Sequence, residues 1–131
     1  MAVRVFLVED TRPMQQLIRD LLDSIGGYEL VGAAAGETPA TDWLMENRGR
    51  WDLAIVDLLL AEGSGFTLLS RCQKDAEGSG AVVVFSDYVS PAVQQRCNHL
   101  GADRVISKAH FAQLRSYLQS FLGRMRVPQL A

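Results

Sequence analysis

The stretch LAIVDLLLAEGSG, residues 53–65, decides the fold because its apolar run leads into an aspartate, Asp57. Four apolar residues precede Asp57 and three leucines follow it. Apolar runs without polar alternation are typical of strands that a parallel sheet buries on both faces. An unpaired carboxylate seldom ends a buried central strand, so Asp57 either belongs to an edge strand or is placed there for chemistry.

Five short apolar runs predict five strands in the whole sequence. The third and fourth runs are nearly continuous Val, Ile, Leu, Ala and Phe, which indicates the buried centre of a sheet. The predicted strands are VRVFLV (3–8), ELVGAA (29–34), DLAIVD (52–57), AVVVFS (81–86) and DRVISK (103–108).

Helical periodicity fills the intervals between these runs. After the first run, apolar residues recur every three or four positions from Met14 to Ile25, which predicts one buried stripe of a helix. We expect Thr11 to cap this helix and the Gly26–Gly27 pair to end it. The second predicted helix starts at Thr38 with Pro39, and the third spans about 65–75. The fourth starts at Ser90 with Pro91, and the fifth spans about 110–122 with Gly123 as its stop.

Strict alternation of strand and helix predicts an α/β fold with a parallel sheet and right-handed crossovers. For five strands the doubly wound solution is flavodoxin-like, with strand order 2-1-3-4-5 and helices on both faces. We expect one domain over residues 1–124 and a tail over 125–131. Ligands of such sheets bind at the carboxyl ends of the strands, near the switch in strand order.

Composition narrows the possible functions. The chain has 131 residues, 48% of them hydrophobic, and a net charge of −2. This balance fits a globular domain with a substantial core, and without a basic stripe it argues against direct nucleic-acid binding. We expect no membrane segment, a cytoplasmic location, and two reduced core thiols at Cys72 and Cys97.

Polar side chains stand where the predicted strands end. Glu9 and Asp10 follow the first strand, Asp57 ends the third, Ser86 ends the fourth and Lys108 ends the fifth. Because the carboxyl ends of parallel strands meet at one edge of the sheet, these side chains are expected to form one site.

The residue types of this set indicate phosphoryl chemistry. Three neighbouring carboxylates repel one another, and a divalent cation with oxygen ligands, Mg²⁺ or Mn²⁺, would relieve the repulsion. A lysine adds a second positive charge, and a serine hydroxyl can donate a hydrogen bond to an incoming anion. The central carboxylate can itself be the nucleophile and form an acyl phosphate.

These segments resemble the receiver domain of bacterial two-component response regulators over about residues 3–122. FLVED is similar to the acidic-pair motif, and LAIVDLLLAEGSG is similar to the phosphoacceptor segment, with Asp57 as acceptor and Gly65 as its downstream glycine. VVVFSD places Ser86 at the switch hydroxyl, and VISKA places Lys108, 22 residues further on, at the family's lysine.

The resemblance implies a role for each site residue. Asp57 would accept a phosphoryl group from a histidine kinase or a histidine phosphotransfer protein, and Ser86 and Lys108 would then contact the phosphoryl oxygens. An unknown output partner would bind the face formed by the fourth helix, fifth strand and fifth helix. The implied magnesium ligands are Glu9, Asp10, Asp57 and the backbone carbonyl of Leu59.

Three positions depart from the family pattern. Ala61 and Ala109 replace prolines that often follow the acceptor and the lysine, and Val105 replaces the family's switch aromatic. A cis bond before a non-proline residue costs about 3 kcal/mol, so we expect a trans or locally rearranged Lys108–Ala109 junction. With Val105, no aromatic ring can swing between exposed and buried positions.

Two bulky positions predict a long-lived phosphoryl group. Leu59 and Tyr88, each two residues beyond a key site residue, are expected to flank the acyl phosphate and shield it from water. We therefore hypothesise slow self-dephosphorylation.

Two other classes of protein compete with this interpretation. The first is an interaction module of the same fold that needs no phosphorylation, which the three departures favour and the complete acidic, serine and lysine set disfavours. The second is an enzyme. An aspartyl-nucleophile phosphatase would need an acid at Leu59, and a flavin carrier would need a Ser, Thr and Gly-rich loop where EDTRPM stands, so we expect no enzyme.

Overall fold

Five strands alternate with five helices along the chain, as the sequence predicts. The computed structural model describes residues 2–74 and 80–125. The elements are β1 (Val3–Val8), α1 (Arg12–Ile25), β2 (Tyr28–Ala34), α2 (Glu37–Glu46), β3 (Leu53–Val56), α3 (Gly65–Lys74), β4 (Ala81–Ser86), α4 (Pro91–His99), β5 (Arg104–Ser107) and α5 (Phe111–Met125).

The strands form one parallel sheet in the order β2-β1-β3-β4-β5, which confirms the predicted flavodoxin-like topology. The register of β1 against β2 shifts between Val5 and Phe6, whereas the other pairings are regular. The switch in strand order lies between β1 and β3, so the carboxyl ends of these strands open into the crevice where such folds bind ligands.

Alternating side chains of the central strands divide the core into two layers. Val5 and Leu7 pack on one face with α1 and α5, whereas Phe6 and Val8 pack on the other with α2, α3 and α4. Strands covered on both faces need apolar residues at every position, which explains the continuous apolar runs of β1, β3 and β4. Trp43 of α2 stacks on Phe6, with ring centroids 4.0 Å apart.

Helix termini agree with the sequence prediction at two of the proposed ends. Ser90 caps α4, because its side chain accepts a hydrogen bond from the Val93 amide at 3.2 Å. Gly26 ends α1 with a φ of 80° and donates its amide to Leu22. Thr11 occupies the N-cap position of α1 but makes no side-chain cap, since its hydroxyl donates to Glu9 instead.

Two predicted helix ends were wrong. Helix α2 begins at Glu37, one residue before the predicted Thr38, with Gly36 as its N-cap. Helix α5 passes through Gly123 and continues to Met125. A glycine in a helix is unfavourable but does not force an end, and the buried face of α5 outweighs that local preference.

Two smaller expectations, on the Lys108–Ala109 bond and on the cysteines, are confirmed. The Lys108–Ala109 bond is trans, as are the other peptide bonds of the described residues. Cys72 and Cys97 are buried thiols, and burial raises the pKa of Cys97.

No helix within the described ranges is both long and apolar enough to cross a membrane. Most of the predicted tail, residues 126–131, lies outside the described residues, so the domain boundary at 124 stays a prediction.

Candidate functional site

The two buried carboxylates of the site are held by backbone bonds that extend the sheet. Asp57 directly follows β3, and its amide donates to the carbonyl of Val8 at 3.0 Å. Glu9 directly follows β1, and its amide donates to the carbonyl of Ala34 at 3.0 Å. Glu9 is 1% exposed and Asp57 5% exposed. Asp57 therefore follows a central strand and lies in a shared buried site, and it does not belong to an edge strand.

Lys108 joins these carboxylates through a single ammonium group. Its Nζ donates to Oε1 of Glu9 at 2.6 Å and to Oδ2 of Asp57 at 2.8 Å. Its backbone amide donates to the carbonyl of Ser86 at 2.9 Å, which fixes the end of β5 beside the end of β4. Charge-assisted hydrogen bonds between buried groups are short and strong, so the three side chains form one linked unit.

The second oxygen of Glu9 is held by groups that sequence reasoning did not assign to the site. Thr11 donates its amide and its hydroxyl to Oε2 of Glu9, at 2.8 and 3.1 Å. Gln15 donates its side-chain amide to the backbone carbonyl of Glu9 at 2.6 Å. A threonine two residues after an acidic residue is a turn signal that could have indicated the first contact. Nothing local in the sequence indicates the second.

Burial and hydrogen bonding have opposite effects on the pKa values of Glu9 and Lys108. Burial raises the pKa of Glu9, although the hydrogen bonds from Lys108 and Thr11 oppose that change. Burial alone would lower the pKa of Lys108, but its hydrogen bonds to Asp57 and Glu9 prevail and raise that pKa. Lys108 is therefore a permanent cation at neutral pH.

The third carboxylate completes a cluster with the character of a metal site. Glu9, Asp10 and Asp57 each offer an oxygen atom, and these atoms lie within 4.8 Å of one another. Counted at their usual formal charges, the three carboxylates and one ammonium leave two negative charges in this space. Hard divalent cations prefer all-oxygen ligands, and Mg²⁺ is held by few carboxylates together with water. The donor set fits Mg²⁺ or Mn²⁺.

Ser86 lies at the edge of this linked unit. It is fully buried, and its hydroxyl accepts a long hydrogen bond of 3.4 Å from the amide of Tyr88. Within the described part of the chain, no hydrogen bond joins that hydroxyl to the side chains of Asp57 or Lys108. The backbone bond from Lys108 to Ser86 nevertheless keeps the two residues adjacent.

The segment after Asp57 folds tightly against it. The Leu59 amide points to Oδ1 of Asp57 at 3.4 Å, and the Gly65 amide donates to the carbonyl of Leu58 at 3.0 Å. A Cβ atom on Gly65 would overlap the carbonyl oxygen of Asp57 and lie 2.8 Å from the Cα of Leu58. Gly65 is therefore required by the close approach of α3 to the backbone of Asp57 and Leu58.

Leu59 and Tyr88 project from the segments that border the site. Their exposed fractions are 57% and 65%, which is high for large apolar side chains. The backbone amides of these two residues point to side-chain oxygens of Asp57 and Ser86, respectively.

A groove lies on the face formed by α4, β5 and α5. Its volume is about 670 Å³, and Val89, Val105, Ser107 and His110 are among the residues that line it. Val105 is half-buried, so the position of the family's switch aromatic is occupied by a small side chain beside open space.

Comparison with known protein families identifies the chain. Residues 5–119 match the model of the response regulator receiver domain. The match covers most of the chain, and the chain belongs to this family, whose members act in two-component signalling. No curated protein sequence matches significantly.

Solved structures share the same fold. The receiver domain of a response regulator from Rhodospirillum rubrum is 25% identical, with a TM-score of 0.82, and the alignment covers 97% of this chain and 98% of that one. The phosphorylated cyanobacterial phytochrome response regulator RcpA is 26% identical, with a TM-score of 0.77 and coverage of 92% and 91%. The response regulator domain of Thermotoga maritima CheB is 23% identical, with a TM-score of 0.80 and coverage of 98% and 99%.

Proposed function

We propose that this chain is a phosphorylation-dependent receiver that accepts a phosphoryl group on Asp57. The donor is the phosphohistidine of a histidine kinase or of a histidine phosphotransfer protein, and the protein works in the cytoplasm as a signalling module rather than an enzyme. One observation carries the proposal. Lys108 bridges Asp57 and Glu9 within a buried cluster whose remaining charge suits a divalent cation.

The residues divide the chemistry among them. Glu9, Asp10, Asp57 and the backbone carbonyl of Leu59 would hold Mg²⁺, or Mn²⁺ in its place. The bound cation would neutralise the phosphoryl oxygens as they approach the carboxylates. A carboxylate oxygen of Asp57 attacks phosphorus, the bond from phosphorus to the histidine nitrogen breaks, and the imidazole leaves. Lys108 stays protonated throughout and pairs with a phosphoryl oxygen, and the Ser86 hydroxyl donates to another.

The same contacts provide the switch. A phosphoryl group on Asp57 gives the proton of the Ser86 hydroxyl a strong acceptor, whereas the Tyr88 amide only donates a long hydrogen bond to that hydroxyl. The segment between β4 and α4 then moves with Ser86 and shifts the population of the α4–β5–α5 face toward a second state. An output protein, not nucleic acid or membrane, binds that face. Since Val105 has no ring to move, Ser86 and the segment after it carry the change.

One observation favours a second candidate, a receiver-like module that binds its partner without phosphorylation. A groove of about 670 Å³ on the α4–β5–α5 face lies beside Val105, which has no aromatic ring to move before a partner binds. Such a module would bind its partner equally well as the wild type and as Asp57→Asn.

Intact mass after incubation with acetyl phosphate and Mg²⁺ tests the proposal. The wild type should gain one phosphoryl group, and both Asp57→Asn and a metal-free sample should gain none. Asp42→Asn, which changes an exposed aspartate on α2, is the matched control and should gain one group. If neither acetyl phosphate nor a panel of phosphorylated histidine kinases modifies the wild type, the proposal fails and the second candidate is favoured.

A further inference from the structure

The segment from Asp57 to Gly65, which we call the acceptor loop, is held from outside the site by the first turn of α2. We call the hydrogen bonds that Glu37 and Glu62 make between these two segments the brace. Glu62 of the loop accepts hydrogen bonds from the Glu37 amide through its carbonyl (2.9 Å) and from Thr38 through its carboxylate (3.0 Å from the amide, 3.3 Å from the hydroxyl). Glu37 returns the contact, because its Oε1 accepts the Ser64 amide at 2.8 Å. Each glutamate thus binds the backbone of the other segment.

Two glycines allow the first turn of α2 and the acceptor loop to approach each other closely. A Cβ atom on Gly36 would lie 2.8 Å from Oε1 of Glu62, and one on Gly63 would overlap the side chain of Glu37. Gly63 also has a φ of 80°, a conformation that glycine adopts readily. Gly36 is the N-cap of α2 and has no side chain to cap it, so Glu62 supplies the acceptors that the first turn needs.

Two further contacts link the brace to the predicted metal ligands. Ser64, held by Glu37, forms an isolated antiparallel bridge with Leu59. The Leu59 amide in turn points to Oδ1 of Asp57. Among the described residues, every hydrogen bond of the two glutamates goes to α2 or to the acceptor loop, and none goes to the carboxylate cluster.

We propose that Glu37 and Glu62 are positioning residues, which hold the acceptor loop so that the Leu59 carbonyl and the Asp57 carboxylate are preorganised for a divalent cation. This inference rests on the proposed function, because it assigns a purpose to the loop only if the cluster binds a cation. Residues that orient ligands without touching the metal often control its affinity, since an unbraced ligand must be ordered when the metal binds.

Binding of Mn²⁺ to the metal-free protein, followed by electron paramagnetic resonance of the free ion, tests the inference directly. We expect Glu37→Ala and Glu62→Ala to bind Mn²⁺ about 10-fold more weakly than the wild type, the lower end of the effect of such supporting residues. Glu37→Gln should keep nearly full affinity, because its amide oxygen still accepts the Ser64 amide. Glu46→Ala, which removes an exposed glutamate from the end of α2, should match the wild type.

The variants separate positioning from the other effects of losing a glutamate. Glu37→Gln and Glu46→Ala both remove a negative charge, so affinity lost only in the alanine variants at the brace reports geometry rather than long-range attraction. Wild-type affinity in folded Glu37→Ala and Glu62→Ala would overturn the inference, as would equal losses in Glu37→Gln and Glu37→Ala. A wild type that binds no Mn²⁺ would instead refute the metal site of the proposed function, and the inference with it.

Hydrogen exchange in the metal-free protein provides a second measurement if an alanine variant proves unstable. Two control variants change these contacts less: Glu37→Gln keeps an oxygen that accepts the Ser64 amide, and Thr38→Val removes one hydroxyl. In both, hydrogen exchange of the amides in the protein core should match the wild type. Glu37→Ala should speed exchange of the Ser64 and Leu59 amides while the Ile55 amide, in the middle of β3, stays protected. Unchanged exchange at Ser64 and Leu59 would show that Glu37 does not hold the loop, and would overturn the inference.

Discussion

The ammonium of Lys108 lies 2.8 Å from Oδ2 of Asp57 and thereby ties the end of β5 to the end of β3. The same group lies 2.6 Å from Oε1 of Glu9, so one cation compensates two carboxylates that the fold has removed from water. Removing an ion from water costs several kcal/mol, and only close partners offset that cost. The stability of the domain and the chemistry of its site are therefore coupled through Lys108.

Lys108→Met should destabilise the metal-free protein by about 3 kcal/mol, because it leaves buried charges without their partner. Denaturation by urea at pH 7 measures this loss. Mg²⁺ should restore part of the stability, since a divalent cation bound by the carboxylates compensates the same charges.

A double variant identifies the cause of that loss. Adding Glu9→Gln to Lys108→Met removes one of the two unpaired carboxylates and should recover part of the stability. Arg19→Met, at an exposed position of α1, should change little. If Lys108→Met is as stable as the wild type without metal, the ammonium contributes nothing net to the fold.

Gly65 and Gly123 form a matched pair in which the same substitution has opposite effects. Gly65→Ala forces a Cβ atom into the Asp57 carbonyl and should cost about 1–3 kcal/mol, the range for overpacking. Gly123→Ala meets open space within α5 and should stabilise the protein by about 0.5–1 kcal/mol. Denaturant midpoints of the two variants give both signs.

The rate of phosphorylation provides a second measurement on the Gly65 and Gly123 variants. Gly65→Ala should also slow phosphorylation by acetyl phosphate, because the displaced carbonyl belongs to Asp57, the proposed acceptor. Gly123→Ala should be phosphorylated at the wild-type rate. A Gly65→Ala variant with unchanged stability would contradict the close approach of α3 to Asp57.

The features of this fold that depend on periodicity could be predicted from the sequence. Continuous apolar runs identified β1, β3 and β4, because strands covered on both faces need apolar residues at every position. Their order placed Asp57, Glu9 and Lys108 at one edge before any distance was known. The helix end at Gly123 was wrong because the prediction weighed a local glycine preference more than the buried residues of α5 that precede it, from Leu114 to Phe121.

The contacts that support the site could not be predicted in the same way. Glu37 and Glu62 are 25 residues apart, and both would be assigned from sequence to a solvated surface. Their contacts depend on the angle at which α2 meets the acceptor loop, which no residue pattern encodes. Gln15 presents the same difficulty, because its contact with the Glu9 carbonyl requires the first turn of α1 to fold back over the end of β1.

The Arg4–Asp52 pair predicts a dependence of stability on pH. Asp52 accepts hydrogen bonds from the Arg4 amide and guanidinium at 2.8–3.1 Å, and these contacts hold the pKa of Asp52 below its usual value of 3.8. A carboxyl group with a lowered folded pKa stabilises the protein above its unfolded pKa, and this contribution is lost as the pH falls through the folded value.

Asp52→Asn should therefore lower stability at pH 7 by about 1 kcal/mol, a modest value because both side chains are partly exposed. The difference from the wild type should begin to shrink near pH 4 and vanish at lower pH. Thermal unfolding of both proteins from pH 2 to 7 measures it. A difference that is constant over this range would indicate lost packing rather than lost charge.

The side chain of Tyr88 predicts the lifetime of the phosphoryl group, provided that Asp57 is the acceptor. Tyr88 is 65% exposed, and its amide contacts the Ser86 hydroxyl, so its ring has the freedom to cover a phosphoryl group held by that hydroxyl. Tyr88→Ala should admit water and speed the loss of phosphate several-fold, as measured by intact mass after the donor is removed. Met45→Ala, which truncates an exposed apolar side chain on α2, should leave the rate unchanged. Rapid loss from the wild type at a rate that Tyr88→Ala does not alter would show that the ring gives no protection, and the lifetime would then depend on Leu59 or on the partner.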